Sequence, residues 1–240
     1  MNILYFDLET SPMLGFSWRT YKTDLLSIEK DSGLLAFGYK VNDGPVHVLS
    51  KRRYTERQLV KKLWKLFNDN DILIAHNGDR FDVRKANALF IRYKLKPPAP
   101  YKTVDTLKIA RKVAAFDSNR MDYLTNLLFN EGKIGTSYKL WSDCMKGDKK
   151  ALKEMEEYCA QDIVLLHKLY NELSVWHTGN PNYNLYNGTT HNCTNPLCGS
   201  PRTIRRGPAY TKVGIYQRWQ CKDCGAWSQG EKINKQKVLK

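Results

Sequence analysis

The sequence of 240 residues has no long apolar run, which excludes a membrane-spanning helix. Its longest stretch without a charged side chain, Leu173 to Pro201, is rich in Asn, Thr and Gly. An apolar signal segment is also missing, because Asp7 and Glu9 lie where such a segment needs hydrophobic residues. Internal repeats and low-complexity tracts are absent as well. We therefore expect a cytoplasmic globular protein that is neither secreted nor embedded in a membrane.

Acidic residues are scarce relative to basic ones. The chain has 24 Asp and Glu against 39 Lys and Arg, a formal net charge of +15. The excess is uneven, since residues 1–180 carry 29 basic and 22 acidic side chains and residues 181–240 carry 10 and 2. Such a balance favours a polyanionic partner, either nucleic acid or an acidic membrane surface. The alternative is that the charge serves solubility alone.

Alternating strand and helix patterns over residues 1–177 predict an α/β domain. The predicted strands are Asn2–Asp7, Leu34–Val41, Val46–Leu49, Ile72–Ala75 and Tyr101–Asp105. Helices are predicted from the capping box at Thr55, from about Arg80 to Tyr93, around Leu107 and Leu124, and after Asp148. Three leading strands followed by strand–helix alternation predict a mixed five-stranded sheet flanked by helices.

Polar side chains stand at the ends of several predicted elements. Asp7 and Glu9 close the first strand, where alternation places both carboxylates on one face. Asp82 falls in the first turn of a helix, where the helix dipole favours a carboxylate. Tyr158 and Asp162 are four residues apart on one face of the long helix. Each feature alone also has a structural explanation: a solvated strand end, a helix start, or a surface acid beside a partly buried tyrosine.

Together, these segments resemble the three exonuclease motifs of the DEDD family of 3′–5′ exonucleases, the proofreading type with a ribonuclease H-like fold. The matching segments are Asp7-x-Glu9, Asn77-x-x-x-Phe81-Asp82 and Tyr158-x-x-x-Asp162. Their order, spacing and context agree with the family over about residues 2–176. The tyrosine at 158, with Glu157 where the histidine subclass has histidine, is typical of the tyrosine subclass.

The resemblance implies two Mg²⁺ or Mn²⁺ ions, which would neutralise charge on the attacking and leaving oxygens of a phosphodiester. Asp7 would bridge both ions and Asp82 would hold the outer one through water. Glu9 and Asp162 would complete the inner site, while Tyr158 would orient the attacking water. The residues expected to contact the terminal nucleotide are Thr10, Asn77 and Phe81. Asp105, which ends a strand, is expected to cap a helix rather than support the metal ligands.

Cysteine is also scarce, and four of the six residues form two pairs. They stand as Cys193-x4-Cys198 and Cys221-x2-Cys224, each pair followed by glycine. This spacing predicts one structural Zn²⁺ in a zinc ribbon over residues 193–230. Two disulfides are the alternative, but a reducing compartment argues against them. Residues 178–192 then form a linker and residues 231–240 a basic tail, while Cys144 and Cys159 are expected to be reduced thiols.

Basic and aromatic residues are interleaved in the predicted ribbon. Arginines can neutralise phosphates and aromatic rings can stack on unpaired bases. The predicted nucleic-acid contacts are Arg205, Arg206, Arg218 and Trp219. The alternative is a solvated basic face whose aromatic residues pack a core too small to be stable without metal.

These features predict a metal-dependent 3′–5′ exonuclease, with single-stranded DNA as the favoured substrate and a ribbon that helps to hold it. An exoribonuclease remains open, because the motifs do not read the 2′-hydroxyl. A non-catalytic nucleic-acid-binding module is the other alternative, although no carboxylate of the motifs is missing. A replication or repair protein is a further expected partner. The small size and the pairing of domains suit a phage protein acting in the host cytoplasm.

Overall fold

The computed structural model describes residues 1–19, 21, 24–182, 191–195 and 197–233. Parts of the expected linker (183–190) and of the basic tail (234–240) lie outside the described residues. The chain divides into two compact units. The sheet unit comprises Asn2–Lys108 and Asp117–Leu169, and the cysteine unit comprises Met1, Ile109–Phe116 and Tyr170–Lys240. The predicted domain boundaries stay predictions.

Seven strands lie in the described part of the sheet unit, and five of them form one mixed sheet. They are β1 (Ile3–Thr10), β2 (Leu14–Phe16), β3 (Ser27–Lys30), β4 (Leu34–Val41), β5 (Val46–Ser50), β6 (Ile72–Ala75) and β7 (Lys102–Asp105). The sheet order is β5-β4-β1-β6-β7. β1 pairs antiparallel with β4 and parallel with β6, and β7 is parallel to β6. The predicted five-stranded mixed sheet is confirmed, whereas the separate β2–β3 hairpin was not predicted.

Helices accompany the sheet along the chain. They are α1 (Glu56–Asp69), α2 (Asp82–Arg92), α3 (Thr106–Val113), α4 (Met121–Phe129), α5 (Tyr138–Lys146) and α6 (Lys149–Ser174). The capping box of Thr55 and Gln58 is present at the start of α1. Asp148 accepts hydrogen bonds from the backbone N–H groups of Lys150 and Ala151, both at 2.8 Å, which explains where α6 begins. Among the described residues, no helix is long and apolar enough to cross a membrane.

Hydrophobic clusters cover both faces of the sheet. On one face, inward residues of β1 and β4 pack with residues of α1 and α2; this cluster includes Leu4, Phe6, Leu8, Leu63 and Phe90. On the other face, Leu35 and Ala36 of β4 pack with residues of α5 and α6. Because alternate residues of β1 point to opposite faces, Asp7 and Glu9 face away from the first cluster.

The cysteine unit contains a small antiparallel sheet. Its strands are β8 (Thr203–Thr211), β9 (Gly214–Cys221) and β10 (Trp227–Lys232), in the order β10-β9-β8. The strand segments expected around Thr203 and from Gly214 to Gln220 are therefore confirmed, and β10 is an additional strand. Few residues are buried here, so the apolar core of this sheet is small.

Candidate active site

The end of β1 and one turn of α6 bring three carboxylates together. Oxygen atoms of Asp7, Glu9 and Asp162 all lie within 4.8 Å of one another. Glu9 and Asp162 are buried, and Asp7 is half-buried. Three of the four predicted acidic ligands therefore meet at one place, on the sheet face that α6 covers.

A glycine permits this close approach. Gly38 of β4 lies opposite Asp7 in the strand register. A Cβ atom at Gly38 would lie 2.7 Å from Cγ1 of Ile163 and 2.9 Å from the carbonyl oxygen of Cys159. Such distances are too short for any other side chain, so glycine lets α6 lie directly on the strand. Asp162 can then reach the carboxylates of β1.

Asp82, the fourth predicted ligand, has a different contact. One of its oxygens accepts a hydrogen bond of 3.1 Å from the backbone N–H of Leu8. β6 pairs with β1 only as far as Tyr5. Beyond the end of β6, the carboxylate of Asp82 therefore accepts the hydrogen bond from the backbone of β1 that a neighbouring strand would otherwise accept. It is buried and lies outside the cluster of three carboxylates. Its expected contact with the outer metal through water stays a prediction.

Lys133 is a site residue that the sequence patterns did not reveal. Its ammonium lies 2.6 Å from Oδ2 of Asp162 and 3.3 Å from the hydroxyl of Tyr158. Burial disfavours the charge of Lys133, but the carboxylate of Asp162 outweighs this effect and raises the pKa of Lys133. The ammonium is therefore charged at neutral pH. It lies between α4 and α5, and nothing in the local sequence distinguishes it from the other lysines.

The phenol of Tyr158 stays protonated. The side chain is 9% exposed, and Trp141 of α5 packs edge-on against it with ring centroids 6.1 Å apart. Burial and the carboxylate of Asp162 raise the pKa of Tyr158 above its ordinary value. Tyr158 is therefore a hydrogen-bond donor near the carboxylates and not a base.

The electrostatics of the cluster favour a bound cation. Burial and the neighbouring Asp162 raise the pKa of Asp7 to about 6. Burial and Asp7 raise the pKa of Glu9 to about 9. Oδ1 of Asp162 is buried and has no hydrogen-bond partner among the described residues. Repelling carboxylates with an unsatisfied oxygen fit Mg²⁺ or Mn²⁺, which prefer carboxylate ligands.

The turn between β6 and α2 is held by Asp105. The backbone N–H of Asn77 donates to Oδ1 of Asp105 at 2.9 Å, and that of Leu107 donates to the same atom at 3.0 Å. The expected helix cap is therefore present, and the same carboxylate also fixes the turn of the second motif. Asn77 adopts a left-handed conformation with φ of 64°, and Phe81 is 40% exposed at the start of α2.

A small pocket surrounds Thr10. It has a volume of about 220 Å³, and Ser32, Lys85 and Arg92 contribute to its lining. The ammonium of Lys85 donates to the hydroxyl of Ser32 at 2.8 Å and lies 5.9 Å from the centre of the Phe81 ring. Two of the three expected nucleotide contacts, Thr10 and Phe81, are therefore near one basic side chain. Asn77 does not line this pocket.

The four cysteines of the cysteine unit form a second cluster. Their sulfur atoms all lie within 4.8 Å of one another, with Cys193 and Cys224 3.5 Å apart and Cys198 and Cys221 3.7 Å apart. A tetrahedral Zn²⁺ with bonds of about 2.3 Å needs sulfur atoms about 3.8 Å apart, whereas a disulfide needs about 2.05 Å. The arrangement therefore fits zinc and does not fit disulfides.

Local backbone geometry supports both cysteine turns. The two glycines that follow the pairs, Gly199 and Gly225, have φ of 52° and 75°, which only glycine adopts easily. Burial opposes ionisation of Cys221, but the backbone N–H groups of Cys224 and Asp223 outweigh it and lower its pKa. The Cys221 thiolate, the form that binds zinc, is thereby favoured.

The predicted basic contacts of the ribbon are exposed. The guanidinium of Arg205 lies 5.3 Å from the ring centre of Trp219, and that of Arg218 lies 4.9 Å from the ring of Trp227. Nε of Arg218 donates to the carbonyl of Arg206 at 3.1 Å. β8 and β9 therefore present arginines and tryptophan side by side, a chemistry that suits phosphates and bases.

Comparison with known proteins identifies the family. A model described as RNase_H superfamily matches residues 4–174, so the chain belongs to the RNase_H superfamily. It is 35% identical over 66 residues to the DNA polymerase III PolC-type of Ureaplasma parvum serovar 3, a match that covers 28% of this chain and 4% of the polymerase. The family B DNA polymerase of Pyrobaculum calidifontis has a similar fold, with a TM-score of 0.54, 14% identity, and coverage of 72% of this chain and 24% of that chain.

Proposed function

We propose that the protein is a 3′–5′ exonuclease of the DEDD family, tyrosine subclass, with single-stranded DNA as its favoured substrate. The observation that carries the proposal is the convergence of Asp7, Glu9 and Asp162 within 4.8 Å. Because one fold hosts many functions, the proposal depends on this site and not on the fold. The match to a PolC-type DNA polymerase supports a role on DNA, although the chain spans only a small part of that protein.

Each side chain has a separate task in this proposal. Asp7, Glu9 and Asp162 would hold the cations, with Asp82 acting through water. When bound, two divalent cations supply charge neutralisation to the attacking and leaving oxygens. The hydroxyl of Tyr158 is a donor that can fix the orientation of a water. Lys133 places a positive charge 2.6 Å from Asp162, where it can attract the phosphate that is cleaved.

Incubation with end-labelled substrates tests the function. We expect stepwise release of nucleoside monophosphates from single-stranded DNA with Mg²⁺ or Mn²⁺, and none with EDTA. Blocking the 3′ end should protect the strand. Equal cleavage of circular single strands would indicate an endonuclease, and preferential degradation of a matched RNA would indicate an exoribonuclease.

Changing Tyr158 to Phe should lower kcat by roughly 10²-fold with little change in KM, because the ring remains and only the orienting hydroxyl is lost. Steady-state kinetics on a short oligonucleotide measure this. Tyr138→Phe is the matched control, since Tyr138 is 70% exposed at the start of α5. An effect confined to KM would make Tyr158 a binding residue.

A further inference from the structure

The β2–β3 hairpin leaves the sheet next to the candidate active site. Its base is closed by Ser11 and Gly33: the backbone N–H of Ser11 donates to the carbonyl of Gly33 at 2.8 Å, and that of Gly33 donates to the hydroxyl of Ser11 at 2.9 Å. Glu9, one of the clustered carboxylates, precedes Ser11 by two residues. The hairpin is therefore anchored at the edge of the carboxylate cluster.

Large apolar side chains of this hairpin face solvent. Phe16 is 63% exposed, Trp18 86% and Tyr21 76%. Every described residue from Met13 to Asp31 is exposed. A large exposed apolar surface on a folded protein is often a binding site. In addition, an isolated two-stranded hairpin is only marginally stable in water. A bound partner would therefore stabilise it.

The chemistry of the hairpin tip suits nucleic acid. Phe16, Trp18, Arg19 and Tyr21 line an open pocket of about 730 Å³, within the roughly 300–1,000 Å³ of ligand sites. Aromatic faces stack on unpaired bases and an arginine can pair with phosphate. Arg19 gives this pocket a positive charge, and two chains that each carry a net charge of +15 repel one another, so a nucleic acid is favoured here over a second copy of the same chain.

We infer that the described residues of the β2–β3 hairpin from Leu14 to Lys30, here called the aromatic hairpin, bind unpaired bases of the substrate strand upstream of its 3′ end. The position of the 3′ end rests on the proposed exonuclease function. Trp18 follows Ser11 by seven residues, so an extended chain reaches at most about 25 Å from the hairpin base. The contacted bases therefore lie within the first several nucleotides from the 3′ end.

Abasic scanning of a single strand tests the inference. A labelled 12-nucleotide DNA strand, with one base removed at each position in turn, is titrated in Ca²⁺ so that it is bound without being cleaved. For the unmodified protein, removal of one or two bases between the third and eighth positions from the 3′ end should weaken binding roughly 5- to 100-fold. The variant with Phe16→Ala and Trp18→Ala should bind the intact strand more weakly by a similar factor. It should also lose its sensitivity at those positions.

Two further variants separate stacking from folding. Trp18→Phe keeps an aromatic face and should retain most of the sensitivity to base removal. Trp176→Ala removes a tryptophan that is 68% exposed in the cysteine unit and should leave the scan unchanged. Unchanged affinity and an unchanged scan in the Phe16→Ala, Trp18→Ala variant would overturn the inference. A change only in self-association, measured by sedimentation, would also overturn it and make the hairpin an interface between copies.

The test distinguishes the hairpin from the proposed function. If the unmodified protein shows the base-specific scan but releases no nucleotides in Mg²⁺, the exonuclease proposal fails and the hairpin still binds bases. If it degrades strands from the 3′ end and the double variant binds normally, the hairpin inference fails and the exonuclease proposal stands.

Discussion

Replacing Asp7 with Asn should abolish hydrolysis and at the same time stabilise the metal-free protein. The variant removes one of the three clustered carboxylates that would hold the cations, and bound cations would supply several kcal/mol of transition-state stabilisation, so kcat should fall by roughly 10³-fold or more. It also removes a half-buried charge that repels Asp162 and Glu9. In EDTA, Tm should rise by about 2–4 °C for each kcal/mol of repulsion relieved.

The pH dependence of stability shows whether the carboxylate of Asp7 destabilises the metal-free protein. Because the pKa of Asp7 is raised from 3.8 to about 6 and that of Glu9 from 4.5 to about 9, these two carboxyl groups bind more protons in the folded protein than in the unfolded chain. Without metal, this contribution is complete below pH 3.8 and is lost as pH rises through the folded values. Melting curves in EDTA at pH 5 and pH 8 should therefore differ less for Asp7→Asn than for the unmodified protein.

Glu154→Gln is the control for Asp7→Asn, since Glu154 is an exposed acid on α6. It should change neither hydrolysis nor the pH dependence of melting. Near-normal hydrolysis by Asp7→Asn would contradict the role of Asp7 in holding the cations. A lower Tm in EDTA would contradict the view that the carboxylates repel one another.

If the four clustered cysteines hold one structural Zn²⁺, as their spacing predicts, removing it should unfold the three-stranded sheet of the cysteine unit. Within residues 197–233, only Cys221 and Ala226 are buried, so apolar burial alone is too small to hold β8–β10. A structural Zn²⁺ contributes about 10–16 kcal/mol in comparable small sites. Cys221→Ser should therefore lower the zinc content from one ion per chain to none. Amide hydrogen exchange should then show loss of protection in β8, β9 and β10.

Cys144→Ala is the matched control, because Cys144 is buried with residues of α5 and α6 and not with the other four cysteines. Its zinc content should remain at one ion per chain. Full protection from hydrogen exchange after zinc loss would mean that β8–β10 stay folded without zinc and would contradict the prediction.

The Cys221→Ser variant also tests DNA binding. If the cysteine unit contacts three or four phosphates, Cys221→Ser should make the slope of log K for binding a long single strand against log[salt] shallower by about 2–3. An unchanged salt slope would mean that the cysteine unit does not contact the phosphates of the strand.

Local patterns predicted the sheet because its strands are short apolar segments between recognisable turns and helix caps. Ile72–Ala75 is flanked by polar turn residues, and Thr55 begins its helix with a capping box, so both could be located without tertiary information. The β2–β3 hairpin could not be predicted in this way. Its strands have three and four residues, all exposed, and therefore lack the alternation of a half-buried strand.

The site was predictable only in part for a similar reason. Asp7, Glu9 and Asp162 belong to motifs with fixed local spacing, which a single sequence displays. Lys133 reaches Asp162 only because the segment between α4 and α5 folds back onto α6, and this contact spans 29 residues. The role of Gly38 also depends on a helix that begins more than a hundred residues later. Contacts of this kind leave no periodic signal.

Because of the close approach at Gly38, the carboxylate cluster cannot form until α6 has been synthesised. Asp162 follows Asp7 by 155 positions, so a growing chain carries the acidic pair of β1 long before its third carboxylate exists. Contacts between residues so distant in sequence form late, because the intervening chain must first be ordered. The three carboxylates of Asp7, Glu9 and Asp162 come together only when α6 packs against Gly38. A nascent or truncated chain that ends before α6 therefore lacks the carboxylate of Asp162, which the proposed hydrolysis requires.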